Sequence, residues 1–133
     1  MRIMVDANII ISAGLFPESI VGNILKHITQ NKKLVICKYT LDELTIVFKN
    51  KFSDRIEYLN RFIKELNYEF IDIEIIDYNK YPKIRDVDDL PLLACAIESK
   101  VNILVTGDKD FEEIDIHNLK ILKPRDYLEK YIK

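Results

Sequence analysis

The chain has 133 residues, of which 48% are hydrophobic and 32% are charged, and its formal net charge at pH 7 is −2. A chain of this length fits one domain, and composition of this kind excludes a disordered or low-complexity protein. Its apolar stretches all fall short of the roughly 18 uninterrupted residues that a membrane-spanning helix requires. We therefore expect residues 1–133 to form a single cytoplasmic domain that makes no membrane contact.

The first half of the sequence predicts two buried strands and three helices. The strands are the apolar runs Ile3 to Val5 and Leu34 to Cys37. A helical pattern starts near Ser19, a second helix is expected to begin at Thr40, and Ser53 is expected to cap a third.

The second half predicts three more strands and two helices. Residues Phe70 to Ile75 alternate between apolar and polar, which indicates a strand near a sheet edge. The run Ile103 to Val105 and the run Lys120 to Leu122 are the other strands. The acidic run at residues 86–89 opens one helix, and Pro124 suits the first turn of the last one.

Strands that alternate with helices, two of them without a polar face, indicate an α/β fold with a central parallel sheet. In such sheets, binding sites form beyond the carboxyl ends of the strands, near the point where the strand order reverses. Asp6 and Asp108 each stand at or just beyond the end of an apolar strand.

These two aspartates have companions that could support a metal ion. Asn8 lies two residues after Asp6, where its amide could orient a bound water molecule, and Thr106 and Asp110 flank Asp108. The alternative is ordinary local structure, because Asp and Asn also cap helices and favour turns. Gly107 permits a close backbone approach or a positive φ angle.

The other acidic positions are also open to two interpretations. Glu43 follows Thr40 by three residues, so a capping box would account for it as well as a metal site. Three aspartates, Asp86, Asp88 and Asp89, precede one helix, which exceeds the need of a cap. We favour Asp89 as the functional one, because it lies one helical turn before Leu92 and Leu93.

Carboxylates gathered at one point repel each other unless a cation lies between them. An oxygen-only set predicts Mg²⁺ or Mn²⁺, and the sequence offers no Cys/His cluster for zinc. Cys37 and Cys95 fall inside apolar runs, and we expect both to be buried thiols.

Four strings together resemble the PIN-domain family of metal-dependent ribonucleases, especially the VapC-like toxins of prokaryotic toxin–antitoxin pairs. They are Val5-Asp6-Ala7-Asn8, Leu41-Asp42-Glu43-Leu44, the run from Asp89 to Ala96, and the run from Leu104 to Phe111. The resemblance implies a three-layer α/β/α fold around a five-stranded, mainly parallel sheet. It also implies an acidic catalytic and metal-binding pocket formed by Asp6, Glu43, Asp89 and Asp108, with Asn8, Thr106 and Asp110 in support. Asp86 and Asp88 compete with Asp89 for the third position.

The same resemblance implies an RNA substrate, a small antitoxin partner and a homodimer. Basic side chains that could contact RNA lie in the first half of the chain: Lys32, Lys33, Lys49, Lys51, Arg55, Arg61 and Lys64. The alternative is a non-catalytic RNA- or partner-binding module with the same fold. A phosphatase of the haloacid dehalogenase type is disfavoured, because it requires a second aspartate where Asn8 stands.

Overall fold

The computed structural model describes residues 1–75 and 77–133. Its sheet consists of β1 (Arg2–Val5), β2 (Lys33–Cys37), β3 (Tyr68–Ile71), β4 (Ile103–Val105) and β5 (Lys120–Leu122). The helices are α1 (Ala7–Leu15), α2 (Ile20–Asn31), α3 (Lys38–Lys51), α4 (Ile56–Glu65), α5 (Leu90–Glu98) and α6 (Pro124–Tyr127), the last continued by a π-helical turn over Leu128–Ile132.

The five strands pair in the order β3-β2-β1-β4-β5, and all four pairings are parallel. The strand order reverses at β1, so β1 and β4 are neighbours that lead to opposite halves of the sheet. Val5 is level with Val105 in that pair. The crevice beyond these two strand ends is therefore the expected position of a site.

Side chains alternate across the sheet and divide the core into two layers. Ile3 and Val5 pack on the face covered by α1 to α4 and α6, whereas Met4 packs on the face covered by α5. The three-layer α/β/α architecture and the five-stranded parallel sheet are thus confirmed. Among the described residues no single helix is long and apolar enough to cross a membrane, although α1 and α2 together reach that length with a bend of 107° between them.

Several local predictions were wrong. Helix α1 follows directly after Asp6, where no helix was expected. Helix α3 begins at Lys38 rather than at Thr40, and Ser53 starts a 3₁₀ turn over Ser53–Arg55 instead of capping α4. The edge position of the third strand is confirmed.

That third strand, β3, ends at Ile71, so the alternating run beyond it is not strand. The sequence left open a close backbone approach or a positive φ angle at Gly107, but none of the described glycines has a positive φ angle. A Cβ atom on Gly107 would have no neighbour within 4 Å.

Gly22 is the glycine on which the α1–α2 junction depends. A Cβ atom there would lie 2.3 Å from the carbonyl oxygen of Pro17 and 2.7 Å from its carbonyl carbon. These are backbone atoms, so they cannot move aside as a flexible side chain could.

We predict that Gly22→Ala lowers the free energy of unfolding by about 1–2 kcal/mol, because backbone displacement costs about 1–3 kcal/mol whereas Ala adds only about 0.5–1 kcal/mol of helix stability. Urea denaturation followed by circular dichroism measures the difference. Gly107→Ala is the matched control and should change stability by less than about 0.5 kcal/mol. A Gly22→Ala protein as stable as the parent would contradict the packing described here.

Candidate metal centre

Asp6 leaves the end of β1 and has both carboxylate oxygens engaged. Its Oδ1 accepts a hydrogen bond from the backbone N–H of Ile9 at 2.9 Å, so Asp6 caps α1. Its Oδ2 accepts from the hydroxyl of Thr106 at 2.5 Å. Burial raises the pKa of the Asp6 carboxyl, with a smaller contribution from the charge of Asp108, while the hydrogen bond from Thr106 opposes the shift. The capping interpretation of Asp6 is correct, and it coexists with a place in an acidic cluster.

Thr106 connects the ends of β1 and β4. Its side chain is buried, and its hydroxyl oxygen accepts from the backbone N–H of Asp108 at 3.1 Å. The hydroxyl proton is therefore free to point at Asp6. This chain of two hydrogen bonds fixes the direction of the Asp6 carboxylate.

Asp108 and Asp89 approach each other from β4 and from the start of α5. Asp108 caps the turn Lys109–Phe111 by accepting from the backbone N–H of Asp110 at 2.9 Å. Asp89 ends the turn Val87–Asp89 immediately before α5. The first turn of α5 buries Leu92 and Leu93, as predicted.

The Asp89 carboxyl is the most perturbed acid of the cluster. Burial raises its pKa to about 7, and the neighbouring carboxyl of Asp108 contributes next, followed by the charges of Asp86 and Asp110. Its Oδ2 atom is buried, and none of the described residues donates a hydrogen bond to it. Such an oxygen is costly without a donor or a cation.

Glu43 does not belong to a capping box. Helix α3 starts at Lys38, which makes Glu43 its sixth residue, and the cap position is held by Cys37 without a side-chain hydrogen bond. The capping box that the sequence suggested as an explanation for Glu43 is therefore wrong. Burial raises the pKa of this carboxyl, and the charges of Asp6 and Asp88 raise it further.

The four predicted carboxylates line one small cavity of about 110 Å³, which we call the acidic pocket. Its lining residues are Asp6, Ala7, Asn8, Tyr39, Glu43, Val47, Asp88, Asp89, Leu92, Thr106, Asp108 and Phe111. Asn8 and Thr106 are thus at the pocket, whereas Asp86 and Asp110 are outside its lining. None of these lining residues is a lysine or an arginine.

Asp86 and Asp110 form a second group with Asp89 on the outer side of the pocket. One carboxylate oxygen from each of these three residues lies within 4.8 Å of the others. Asp110 already has a cation, because Arg85 Nε lies 2.7 Å from its Oδ1. Asp86 accepts from the backbone N–H of Asp88 at 3.0 Å. Asp89 is the carboxylate that belongs to both groups.

Two residues near the site carried no sequence signal that singled them out. Tyr39 lines the acidic pocket and donates its hydroxyl hydrogen bond to the backbone carbonyl of Asp88 at 2.8 Å. Burial and the nearby charges of Glu43, Asp88 and Asp89 raise the Tyr39 pKa to about 12. Arg85 is the second, and its position just before the aspartate run is the one feature that could have identified it.

The donor set fits a hard divalent cation. All the charged groups at the pocket are carboxylates, and Mg²⁺ and Mn²⁺ prefer oxygen ligands. No donor from residues 1–75 or 77–133 reaches the buried Oδ2 atom of Asp89. The pKa values of Asp6, Glu43 and Asp89 are all raised, which a cation would reverse.

Comparison with known proteins agrees with this architecture. The PIN domain family model matches residues 2–110. The uncharacterised protein MJ1680 of Methanocaldococcus jannaschii is 30% identical over an alignment that covers all of this chain and 93% of that protein. The crystal structure of VapBC2 from Rickettsia felis, bound to a DNA fragment from its promoter, contains a chain with the same fold. The TM-score is 0.72 at 24% identity, and the match covers 92% of this chain and 98% of that one. From the family match and the shared fold, this chain belongs to the PIN-domain family.

Proposed function

We propose that residues 1–133 form a single metal-dependent endoribonuclease domain whose active site is the acidic pocket. The observation that carries the proposal is the convergence of Asp6, Glu43, Asp89 and Asp108 on one cavity without a lysine or arginine in its lining. Membership of the PIN-domain family supports nuclease chemistry at this position.

The four carboxylates would hold Mg²⁺ or Mn²⁺, which when bound neutralises negative charge on a phosphate and lowers the pKa of water. Asp6 is held in place by Thr106 and by the first turn of α1. Asp89 contributes the buried oxygen to which no residue in the described part of the chain donates. Asn8 is exposed at the mouth of the pocket and would orient the attacking water through its amide.

We propose RNA as the substrate class. Because the surface around the pocket is acidic, binding of RNA there requires that a cation is also bound. Phosphate groups approach carboxylates only when positive charge is supplied between them. Arg85 is a basic side chain that pairs with Asp110 beside the pocket, and it is 80% exposed. The predicted contacts Lys32 and Lys33 lie where β2 begins, at the opposite edge of the sheet from the pocket, so we do not assign them to the scissile phosphate.

We further propose that the protein is the toxin of a toxin–antitoxin pair, acts in the cytoplasm as a homodimer, and is inhibited by a small partner protein. The support is the fold that it shares with a chain of the Rickettsia felis VapBC2 complex. The alternative is a non-catalytic binding module with the same fold. The cleavage assay of the Asp6→Asn protein distinguishes it from a nuclease.

Asp6→Asn should abolish Mn²⁺-dependent cleavage of RNA, with a loss of at least about 100-fold, because it removes one ligand charge from the pocket. The fold should persist, since the Asn side chain still accepts the cap hydrogen bond from Ile9. Cleavage of labelled RNA with Mn²⁺, and with excess chelator, measures the effect. Asp42→Asn is the matched control, because Asp42 pairs with Lys38 on the surface of α3. Equal cleavage by the Asp6→Asn protein would leave the non-catalytic alternative.

Glu43→Gln should lower the rate of cleavage by about tenfold or more without lowering stability. The physical reason is that Glu43 caps nothing and its charge is opposed by those of Asp6 and Asp88. Thermal unfolding of the metal-free protein and single-turnover cleavage separate the two effects. A drop in melting temperature with unchanged cleavage would show a structural role instead.

The metal-free protein should lose stability as pH rises from about 4 to about 7. The pKa of Asp89 is about 7 in the folded chain against an ordinary value of 3.8, so in this range the folded state binds more protons than the unfolded state. The Asp6 and Glu43 shifts have the same sign.

Mg²⁺ should therefore raise the melting temperature more at pH 8 than at pH 5, where protonation competes with it. Calorimetry at both pH values, with and without Mg²⁺, measures this. Asp89→Asn should flatten both dependences. Equal shifts with Mg²⁺ at the two pH values in the parent protein would contradict the assignment of a carboxylate metal site.

A further inference from the structure

The two cysteines of the chain lie together in the core although 57 residues separate them in sequence. Cys37 ends β2, and Cys95 is in the middle of α5, which packs on that face of the sheet. Their exposures are 1% and 5%, and both are free thiols. Their predicted burial is confirmed, but their proximity was not predictable from spacing.

The two thiols are chemically unequal. The neighbouring Cys95 thiol lowers the pKa of Cys37 to about 6, and the hydroxyl of Thr40, 3.3 Å from Cys37 Sγ, acts in the same direction. The same contact and burial raise the pKa of Cys95. Cys37 also occupies the cap position of α3, where the helix dipole favours a negative charge. Donors around Cys37 therefore outweigh the effect of its burial.

Both cysteines line one cavity of about 350 Å³, which we call the thiol cavity. Tyr78 and Pro91 form part of its wall. A water molecule occupies about 30 Å³ of liquid volume, so a molecule as small as hydrogen peroxide fits easily. The thiol cavity therefore gives a small oxidant a space beside both sulfur atoms.

Tyr39 lies between the thiol cavity and the acidic pocket, because it lines both. It is two residues after Cys37, and its hydroxyl is bonded to the carbonyl of Asp88, the residue before Asp89. Tyr39 is thus a single side chain that connects the region of Cys37 to the aspartate turn.

We propose that Cys37 and Cys95 are a peroxide-oxidisable pair that forms a reversible intramolecular disulfide, and that this oxidation lowers turnover at the acidic pocket. The first half of the proposal is independent of the proposed nuclease function, and the second half rests on it.

The reaction balances with one peroxide molecule for each pair. The Cys37 thiolate attacks one peroxide oxygen, an S–O bond forms as the O–O bond breaks, and hydroxide leaves. Cys95 sulfur then attacks Cys37 sulfur, its proton joins the departing hydroxide, and water is released. Two thiols and one peroxide give one disulfide and two waters, with two electrons passing from sulfur to oxygen. A dithiol reductant reverses the change.

Disulfide formation must draw α5 and the β2–α3 junction together. The two sulfur atoms are not bonded to each other, and an S–S bond of about 2.05 Å is shorter than any non-bonded contact between them. Asp89 and Glu43 each lie six residues from a cysteine on the elements that would move. Displacement of reacting groups by about 1 Å can cost about 100-fold in rate.

Intact-mass measurement of the full chain under denaturing conditions, after treatment with hydrogen peroxide at neutral pH, tests the first half. We expect a monomer about 2 Da lighter, restored by dithiothreitol. The chain has two cysteines, so an intramolecular disulfide can join only this pair. A disulfide-linked dimer, or the unchanged mass with the protein folded, would overturn the proposal.

The serine variants test which thiol reacts first. Cys95→Ser keeps a hydroxyl donor beside Cys37, so it should gain about 16 Da as a sulfenic acid that dimedone traps. Cys37→Ser should stay unmodified under the same conditions. The opposite result would be that dimedone traps Cys95 in the Cys37→Ser protein and does not trap Cys37 in the Cys95→Ser protein. That result would contradict the assignment of Cys37 as the thiol that reacts first.

Cleavage of RNA with Mn²⁺ before oxidation, after oxidation and after reduction tests the second half. We expect a loss of at least about tenfold that reduction restores, and no loss in the Cys95→Ser protein. Unchanged cleavage by the fully oxidised chain would overturn the regulatory step alone. Absence of cleavage by the reduced parent would instead count against the proposed function, while the mass measurement would still decide the disulfide.

Discussion

The hydrogen-bond chain from Asp108 N–H through the Thr106 hydroxyl to the Asp6 carboxylate is the interaction on which the acidic pocket depends. The parallel pairing of Val5 with Val105 makes the two strand ends level, and Thr106 then converts that register into a fixed carboxylate direction. Thr106 is buried and both hydrogen bonds are partly buried, which strengthens them relative to bonds at the surface. The strand order of this open sheet reverses at β1. The hydrogen bond between Thr106 and Asp6 joins the ends of β4 and β1 at that point.

The acidic residues at this edge of the sheet differ in whether a basic side chain lies beside them. The outer aspartate, Asp110, is neutralised by Arg85, a cation from the same chain. The inner acids, by contrast, have no basic residue among the residues that line their pocket. Burial and the charges of neighbouring carboxylates raise the pKa values of three of them, Asp6, Glu43 and Asp89. Asp89 stands between the two groups. Arg85 lies beside one aspartate, yet Asp89 Oδ2 receives no hydrogen bond from any residue that the structure describes. This arrangement carries a local cost that binding of a cation would remove.

Sequence reasoning succeeded where a single physical signal dominated. The apolar runs of β1, β2 and β4 could only be buried strands, so the parallel sheet and its acidic edge were predictable. Helix α1 was missed because its residues, Ala7 to Leu15, are apolar on nearly every side and show little helical period. The capping box at Thr40 failed because β2 passes directly into α3 with no intervening loop. Thr40 is instead buried against Cys37.

The remaining features of the site depend on contacts between distant parts of the chain, which local patterns do not encode. Glu43 illustrates the difference. Its neighbours in sequence suggested a capping box, but α3 begins at Lys38, so Glu43 makes no cap and lines the acidic pocket instead. Tyr39 has no motif at all, yet it separates the acidic pocket from the thiol cavity. Cys37 and Cys95 meet because the sheet brings β2 beneath α5. The same packing that assembles the carboxylates therefore also assembles the thiols, and this shared scaffold is the physical basis for the coupling that we propose between them.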